Sequence, residues 1–164
     1  MRPCLLPFLT PLLALAACDG GATTAPAPSP TPAATPTKPV VAPLLPEQIA
    51  TAELGGELGC AFATADMPGP LLVASGMVSD PEGTAQAVAG GDGVPLRMEA
   101  VERGGFDGMI NGAEFAAKGF RYAVKLTGEP AAQGGESPPR PARLTVTAPW
   151  GAQAVVAGEW TCGP

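Results

Sequence analysis

The side chains that could carry out chemistry in this chain are few, because histidine is absent and charged residues make up only 15% of the sequence. Without histidine, the usual Ser-His-Asp and Cys-His catalytic arrangements are excluded. A Ser-Lys pair is the remaining nucleophilic arrangement, drawn from Ser75, Ser79 or Ser137 and from Lys118 or Lys125. No spacing in the sequence supports such a pair.

Acidic residues recur beside glycine and proline, at Asp80, Glu82 and Asp92. Paired carboxylates can do acid and base chemistry if an apolar cleft separates their pKa values. Turn formation explains Asp80-Pro81 and Asp92-Gly93 without such a cleft. The run Gly90-Gly91-Asp92-Gly93 also lacks the Lys-Ser/Thr ending of a phosphate-binding loop.

The segment FDGMINGAEF, residues 106–115, has part of the pattern of a calcium-binding loop. Asp107, Asn111 and Gly112 fall at the first, fifth and sixth places of an EF-hand loop, but Met109 holds the third and Lys118 the twelfth. We therefore predict no metal site there. Asn-Gly between apolar residues is instead a strong hairpin signal, because both residues tolerate positive φ, and we predict a type I′ turn at Asn111–Gly112.

The first 17 residues are typical of an export leader, with Arg2, then a short apolar run, then small residues. The run is shorter than the roughly 20 residues that a membrane-spanning helix needs. Its end, Leu15-Ala16-Ala17-Cys18, resembles the lipobox of bacterial lipoproteins. The resemblance implies cleavage before Cys18, a diacylglycerol thioether on that residue, and a fatty acid such as palmitate on its new amino group.

On this hypothesis the protein is anchored by lipid in the bacterial cell envelope and faces the periplasm. The alternative is ordinary cleavage after Ala16, which leaves Cys18 as a free exported thiol. Asp19 resembles the inner-membrane retention signal of enteric bacteria, or it merely keeps the modified end soluble. The choice between inner and outer membrane therefore stays open.

Cys60 and Cys162 remain once Cys4 leaves with the leader and Cys18 carries lipid. In an oxidising compartment, two remaining cysteines near opposite ends of a domain favour a disulfide bond. A crosslink across roughly 100 residues stabilises a fold by up to about 4.7 kcal/mol in the chain-entropy model. The chain has no histidine and no Cys-x-x-Cys, which excludes a structural zinc site, and we predict no cofactor.

Charge argues against nucleic acid as a partner. Without Arg2 the chain has eight cationic and fifteen acidic side chains, a net charge of −7, and no basic cluster. Such a chain lacks the positive surface that binds phosphate backbones or anionic lipid. We therefore expect membrane contact through the lipid anchor alone.

Three regions follow from composition: the leader at 1–17, a lipidated linker rich in proline, alanine and threonine at 18–46, and a globular β domain at 47–164. Repeated Ala-Pro, Ser-Pro and Thr-Pro pairs remove amide donors and hold the preceding residues extended, so the linker cannot form a core. It is a solvated spacer, or a segment that crosses a cell-wall layer or is glycosylated. A short helix is predicted from Pro46 to Leu54, ending before Gly55-Gly56.

Glycine and proline beyond Gly56 divide the chain into short alternating runs typical of strands. In 120–126, the apolar positions Phe120, Tyr122, Val124 and Leu126 alternate with other residues and should share a buried face. Ala154, Val156, Trp160 and Cys162 share parity in the same way. We predict an all-β fold, a small antiparallel barrel or sandwich of about seven or eight strands in which the disulfide joins first strand to last. The predicted strands are 58–64, 71–78, 84–89, 95–101, 113–117, 120–126, 143–148 and 152–161.

The long irregular stretch at 128–141 is a candidate binding loop, because loops of this length in compact domains are uncommon unless functional. It contains consecutive prolines with Glu136 and Arg140, and the alternative is a loose connector. Trp150, between Pro149 and Gly151 in a predicted turn, is either an exposed binding anchor or a ring folded back onto the core.

The leading functional hypothesis is a non-enzymatic, lipid-anchored module that binds or supports an envelope protein or a cell-wall component. In plan, the predicted domain looks like lipid-anchored lysozyme inhibitors, which are small β-barrels with a disulfide tying their ends. Their Ser-Gly-x-x-Tyr motif is not met, since Ser75-Gly76 is followed by Met77, Val78 and Ser79. An inhibitor of a cell-wall lytic enzyme is the first alternative. A hydrolase that uses Ser75 or Asp107 in an unobvious site is the second.

Overall fold

The computed structural model describes residues 37–91, 94–130 and 137–164. The predicted leader, Cys18, Asp19, Asp92 and Glu136 lie outside the described residues. The described part contains one short α-helix, one 3-10 helix and eight strands. These are α1 (Pro46–Thr51), β1 (Leu58–Ala63), β2 (Pro70–Gly76), β3 (Gln86–Ala89), β4 (Leu96–Ala100), the 3-10 helix (Asp107–Met109), β5 (Glu114–Ala117), β6 (Phe120–Leu126), β7 (Arg140–Thr147) and β8 (Gln153–Gly163).

Each strand pairs antiparallel with the next, and β8 pairs with β1, so the sheet closes into a barrel. This confirms the predicted all-β antiparallel fold and selects the barrel over the sandwich. All eight predicted strands are present, with ends that differ by at most three residues. An eight-stranded barrel is just wide enough for side chains to fill its interior.

The interior is filled by the apolar positions of the alternating strands. Phe62 in β1 lies opposite Leu72 in β2 and opposite Trp160 in β8, and all three are buried. In β6, Tyr122 and Val124 are buried as the alternation predicted. The hydrophobic core is therefore the inside of the barrel, and its largest side chains come from strands on both sides of the closure.

The closure between β1 and β8 carries the predicted disulfide. Cys60 and Cys162 are directly opposite each other in the strand register and are bonded, with their Cα atoms 4.0 Å apart. Their sequence separation is 102 residues. The disulfide prediction is confirmed, and the crosslink joins the first strand to the last.

The predicted two-residue turn at Asn111–Gly112 is wrong. These residues follow the 3-10 helix in the long connection from β4 to β5. The two-residue hairpin turn is instead Lys118–Gly119, between β5 and β6, where both residues have positive φ of 48° and 80°. The residues before Asn111 do not form a strand, because Phe106 and Met109 fold into the barrel, where they are 7% and 1% exposed.

Met109 and Phe106 close one end of the barrel. The indole Nε1 of Trp160 donates a 2.9 Å hydrogen bond to the Met109 carbonyl, and the Phe106 amide donates to the Met77 carbonyl at 2.9 Å. Because consecutive antiparallel strands run in opposite directions, the connections after β2, β4 and β6 share this end. We call it the far end.

The short helix α1 lies outside the barrel. The side chain of Gln48 accepts a 2.9 Å hydrogen bond from the Leu45 amide at the helix start, and Pro46 occupies the first turn, as predicted. Beyond the helix, Arg97 of β4 donates to the Ala52 carbonyl at 2.8 Å. The helix prediction is confirmed in place, although it ends at Thr51 rather than Leu54.

Candidate binding surface at the strap end

The segment Thr37–Leu45 crosses the end of the barrel opposite the far end. We call this segment the strap and this end, where the connections after β1, β3, β5 and β7 lie, the strap end. The Leu44 amide donates to the Pro70 carbonyl at 2.8 Å, and the Ala42 amide donates to the Gly90 carbonyl at 3.4 Å. Leu44 is 1% exposed. The strap is therefore hydrogen-bonded to the first residue of β2 and to the residue that directly follows β3.

Glycine allows the strap to approach the barrel closely. A Cβ atom on Gly90 would lie 1.9 Å from the Ala42 carbonyl oxygen, which no side chain could tolerate. The linker was predicted to extend to residue 46, but its last residues, 37–45, pack on the barrel. The apolar stretch PVVAPLL at 39–45 is the sequence signal for this packing, and it contrasts with the polar repeats before it.

Trp150 holds the beginning of the strap. Its indole Nε1 donates a 2.8 Å hydrogen bond to the Thr37 carbonyl, and Pro39, two residues on, is buried. The ring packs edge to face on Phe120, with centroids 5.7 Å apart and planes at 84°. Trp150 nevertheless stays 49% exposed. Trp150 therefore packs against the barrel and still presents a face to solvent, and its role as a binding anchor stays a prediction.

An apolar groove of about 190 Å³ opens beside Trp150's partner Phe120. Val40 of the strap, Val94 and Leu96 line it, and Lys118 stands at its rim. Tyr122 forms its floor and is 2% exposed. The strap, the connections after β3 and β5, and residues of β4 and β6 together build this groove.

Val94, which lines the groove, is the most exposed large hydrophobic residue in the described part of the chain, at 73%, and Val40 is 52% exposed. Exposed single valines are common on proteins, but here two of them adjoin a half-exposed tryptophan and a groove. The strap end is therefore the best candidate for a binding surface in the described part of the chain. Sequence reasoning found Trp150 but not Val94, Phe120 or Lys118, because strands distant in sequence bring them together.

The structure does not bring the predicted binding-loop residues together. Arg140 is the first residue of β7 rather than part of a loop, and its Nη1 donates to the Asn111 side chain at 2.9 Å. Arg140 lies at the far end, whereas Trp150 follows the other end of β7 at the strap end. Glu136 is outside the described residues. Arg140 contributes to the far-end connection instead of to a shared site with Trp150.

The residues of the hydrolase hypothesis have local structural partners. The Ser75 hydroxyl donates to the Leu58 carbonyl at 3.1 Å, and Asp107 accepts a 2.9 Å hydrogen bond from the Ser79 amide. Ser75 lies near the far end of β2, while Lys118 lies in the hairpin turn at the strap end. Ser75 and Lys118 are therefore separated by the length of the barrel.

Within residues 37–91, 94–130 and 137–164, no group of three or more carboxylate or thiol side chains is placed to hold a metal ion. The helices in that part of the chain are too short or too polar to cross a membrane. No protein-family model, curated protein or solved structure matches this chain.

Proposed function

We propose that this protein is a lipid-anchored component of the bacterial cell envelope, facing the periplasm, whose barrel is a non-enzymatic binding or structural module. The lipobox-like Leu15-Ala16-Ala17-Cys18 supports the anchor. The attachment of the strap to the barrel supports the role of the barrel as the domain that the anchor holds at the membrane.

That attachment is the observation on which the proposal mainly rests. Hydrogen bonds from Trp150, Ala42 and Leu44 fix the strap at three separate points. Burial of Leu44 and Pro39 adds apolar contact. A linker that only separated a domain from a membrane would need none of these contacts, whereas a linker that holds the domain in a defined orientation would need them.

A binding module also fits the use that the barrel makes of its polar side chains. Ser75 and Asp107 bond to nearby backbone, and the interior is occupied by apolar side chains such as Phe62 and Trp160. Among the described residues, the strap end, with its groove and the half-exposed Trp150, is the candidate surface for a binding contact.

The anchor is tested on the full chain expressed in a bacterial host. Mass spectrometry of the mature protein should find Cys18 at the amino terminus, with a mass increase equal to diacylglycerol and an acyl chain. The wild type should enter the detergent phase in phase-separation assays, and Cys18→Ser should remain uncleaved and lack the lipid. A mature terminus at Ala17, with an unmodified thiol at Cys18, would refute the proposal.

The binding role is tested by crosslinking the lipidated chain in intact envelopes and purifying it through an affinity tag. A specific envelope protein or cell-wall component should be recovered with the wild type. Val94→Asp, which places a charge in the strap-end groove, tests whether that partner binds there, and Val155→Asp is the matched control, because Val155 is 58% exposed on the outer wall of β8. Loss of the partner with Val94→Asp alone would place it at the strap end, and recovery of no specific partner with any of the three chains would argue against the binding role.

Inhibition of a cell-wall lytic enzyme is a second candidate, favoured by the eight-stranded barrel whose cystine joins first and last strands. Ser75 and Gly76 lie within β2, and a Cβ on Gly76 would meet the Phe106 backbone nitrogen at 2.6 Å. These residues are thus packed into the fold. A purified chain that leaves muramidase activity unchanged at micromolar concentration would eliminate this candidate.

A further inference from the structure

Apolar side chains at the strap end are exposed around the point where the chain enters the barrel. Val94, Val40 and Trp150 are 73%, 52% and 49% exposed, and the groove of about 190 Å³ lies among them. The indole Nε1 of Trp150 already donates to the Thr37 carbonyl. Trp150 can therefore enter an apolar environment without losing a hydrogen bond, which removes the main cost of burying an indole.

Charge distinguishes the two ends of the barrel. The far end carries two guanidiniums among the described residues, those of Arg103 and Arg140, together with a larger number of carboxylates. Exposed apolar side chains also occur there, but they stand beside these acids. The far-end carboxylates include Glu57, Asp80, Glu82, Glu102, Asp107 and Glu129.

At the strap end the described charges are Lys38 in the strap, Lys118 at the groove rim, Glu47 directly after the strap and Asp66 after β1. The sequence adds Asp92, which is outside the described residues. Bacterial membranes present anionic headgroups, which attract cations and repel carboxylates near the surface. Of the two ends, the strap end is thus the one that an anionic surface repels less.

The position of the anchor selects the same end. Eighteen residues, 19–36, separate Cys18 from Thr37, where the strap begins. The chain that would carry a lipid on Cys18 therefore joins the barrel through the strap. Tryptophan is enriched at membrane interfaces, where its ring lies among headgroups and its polar atom finds a partner.

We propose that the strap end docks on the membrane that holds the lipid, with Val94, Val40 and Trp150 in the interface and Lys38 and Lys118 facing headgroup phosphates. This inference rests on the proposed lipid anchor and adds a second, protein-mediated contact. It departs from the expectation of contact through lipid alone, which considered charge clusters and could not include an apolar surface assembled by the fold. Two membrane contacts hold a protein more stably than one.

The test uses the lipidated, mature chain in vesicles of phosphatidylethanolamine and phosphatidylglycerol, with or without bromine atoms on the acyl chains. Bromine quenches tryptophan emission only at contact distance. Trp160 is 1% exposed inside the barrel, so the difference between wild type and Trp150→Phe gives the emission of Trp150. Brominated vesicles should remove most of that emission, and iodide in the water should remove little of it.

Val94→Asp should restore the emission of Trp150 in brominated vesicles, and the control Val155→Asp should not. Quenching that persists in Val94→Asp would overturn the proposed surface. Emission that iodide quenches and bromine does not would show contact through the lipid alone. Protection from both quenchers would show that a second copy or another protein covers the strap end, which also overturns the inference.

The lipid itself is checked on the same samples by mass spectrometry and by flotation with vesicles. A chain that carries no lipid would refute the anchor and this inference together. If the lipidated chain floats with the vesicles but bromine does not quench the emission of Trp150, only this inference is refuted.

Discussion

Removing the disulfide between Cys60 and Cys162 should destabilise the barrel mainly through its unfolded state. The crosslink spans 102 residues, and the chain-entropy model assigns a loop of this length about 4.7 kcal/mol. In the native state, β1 and β8 remain paired from Gly59 to Ala63, so the closure does not depend on the sulfur atoms alone. We therefore expect a folded but much less stable protein.

The assay is urea unfolding of the full chain followed by tryptophan emission, comparing wild type with the double variant Cys60→Ala/Cys162→Ala. At a urea m-value of about 2 kcal/mol/M, a loss of 4.7 kcal/mol lowers the midpoint by roughly 2 M. The m-value itself should rise, because the unfolded chain exposes more surface without the crosslink. Reductant should shift the wild type in the same direction and leave the variant unchanged.

A loss below about 1 kcal/mol would refute this reasoning, since it would lie far under the loop-closure value even after allowing for the usual shortfall. The same conclusion would follow if near-UV circular dichroism of the variant in buffer no longer showed a packed Trp160. That result would mean that the crosslink maintains the native closure, which the pairing of β1 with β8 is expected to do without it.

Three other substitutions test local features of the fold. Lys118 has a φ of 48° in the hairpin turn, so Lys118→Asn should raise the unfolding free energy and Lys118→Ile should lower it, each by about 1 kcal/mol in thermal or urea unfolding. Phe62→Ala removes a fully buried ring beside Trp160 and should cost about 3–5 kcal/mol in the same assays, whereas Val155→Ala on the outer wall should cost little. Gly90→Ala should displace the strap, because its Cβ would lie 1.9 Å from the Ala42 carbonyl oxygen; hydrogen exchange at the Leu44 amide should then accelerate while exchange in β6 stays unchanged.

Local alternation made most of the barrel predictable. In 120–126 the pattern required Tyr122 and Val124 to face inward and Arg121 and Lys125 to face outward, and all four do. Such a pattern depends only on the two-residue period of a strand, so the inward and outward positions can be predicted without knowing the contacts of the rest of the chain. The disulfide was predictable because elimination left one pair of cysteines.

Features that depend on distant contacts were not predictable. Asn111–Gly112 has the composition of a tight turn, but burial of Met109 at the far end converts the preceding residues into a 3-10 helix. The packing of the strap, which lies within a proline-rich segment, was not predicted, because its hydrogen bonds to Pro70 and Gly90 are made by backbone atoms that every sequence has. The groove around Val94 has the same origin, since it exists only after the strands have closed.

The closure of β8 onto β1 has a consequence for the proposed membrane-anchored form of this protein. Proteins held on one membrane are concentrated in two dimensions, where an unpaired strand would be a template for joining neighbouring molecules edge to edge. Because Gly59–Ala63 of β1 pair with Glu159–Gly163 of β8, neither strand has an unpaired edge there. The disulfide between Cys60 and Cys162 opposes separation of these two strands during thermal fluctuations. In the proposed anchored form, a crowded population of these molecules should therefore resist polymerisation in an oxidising compartment.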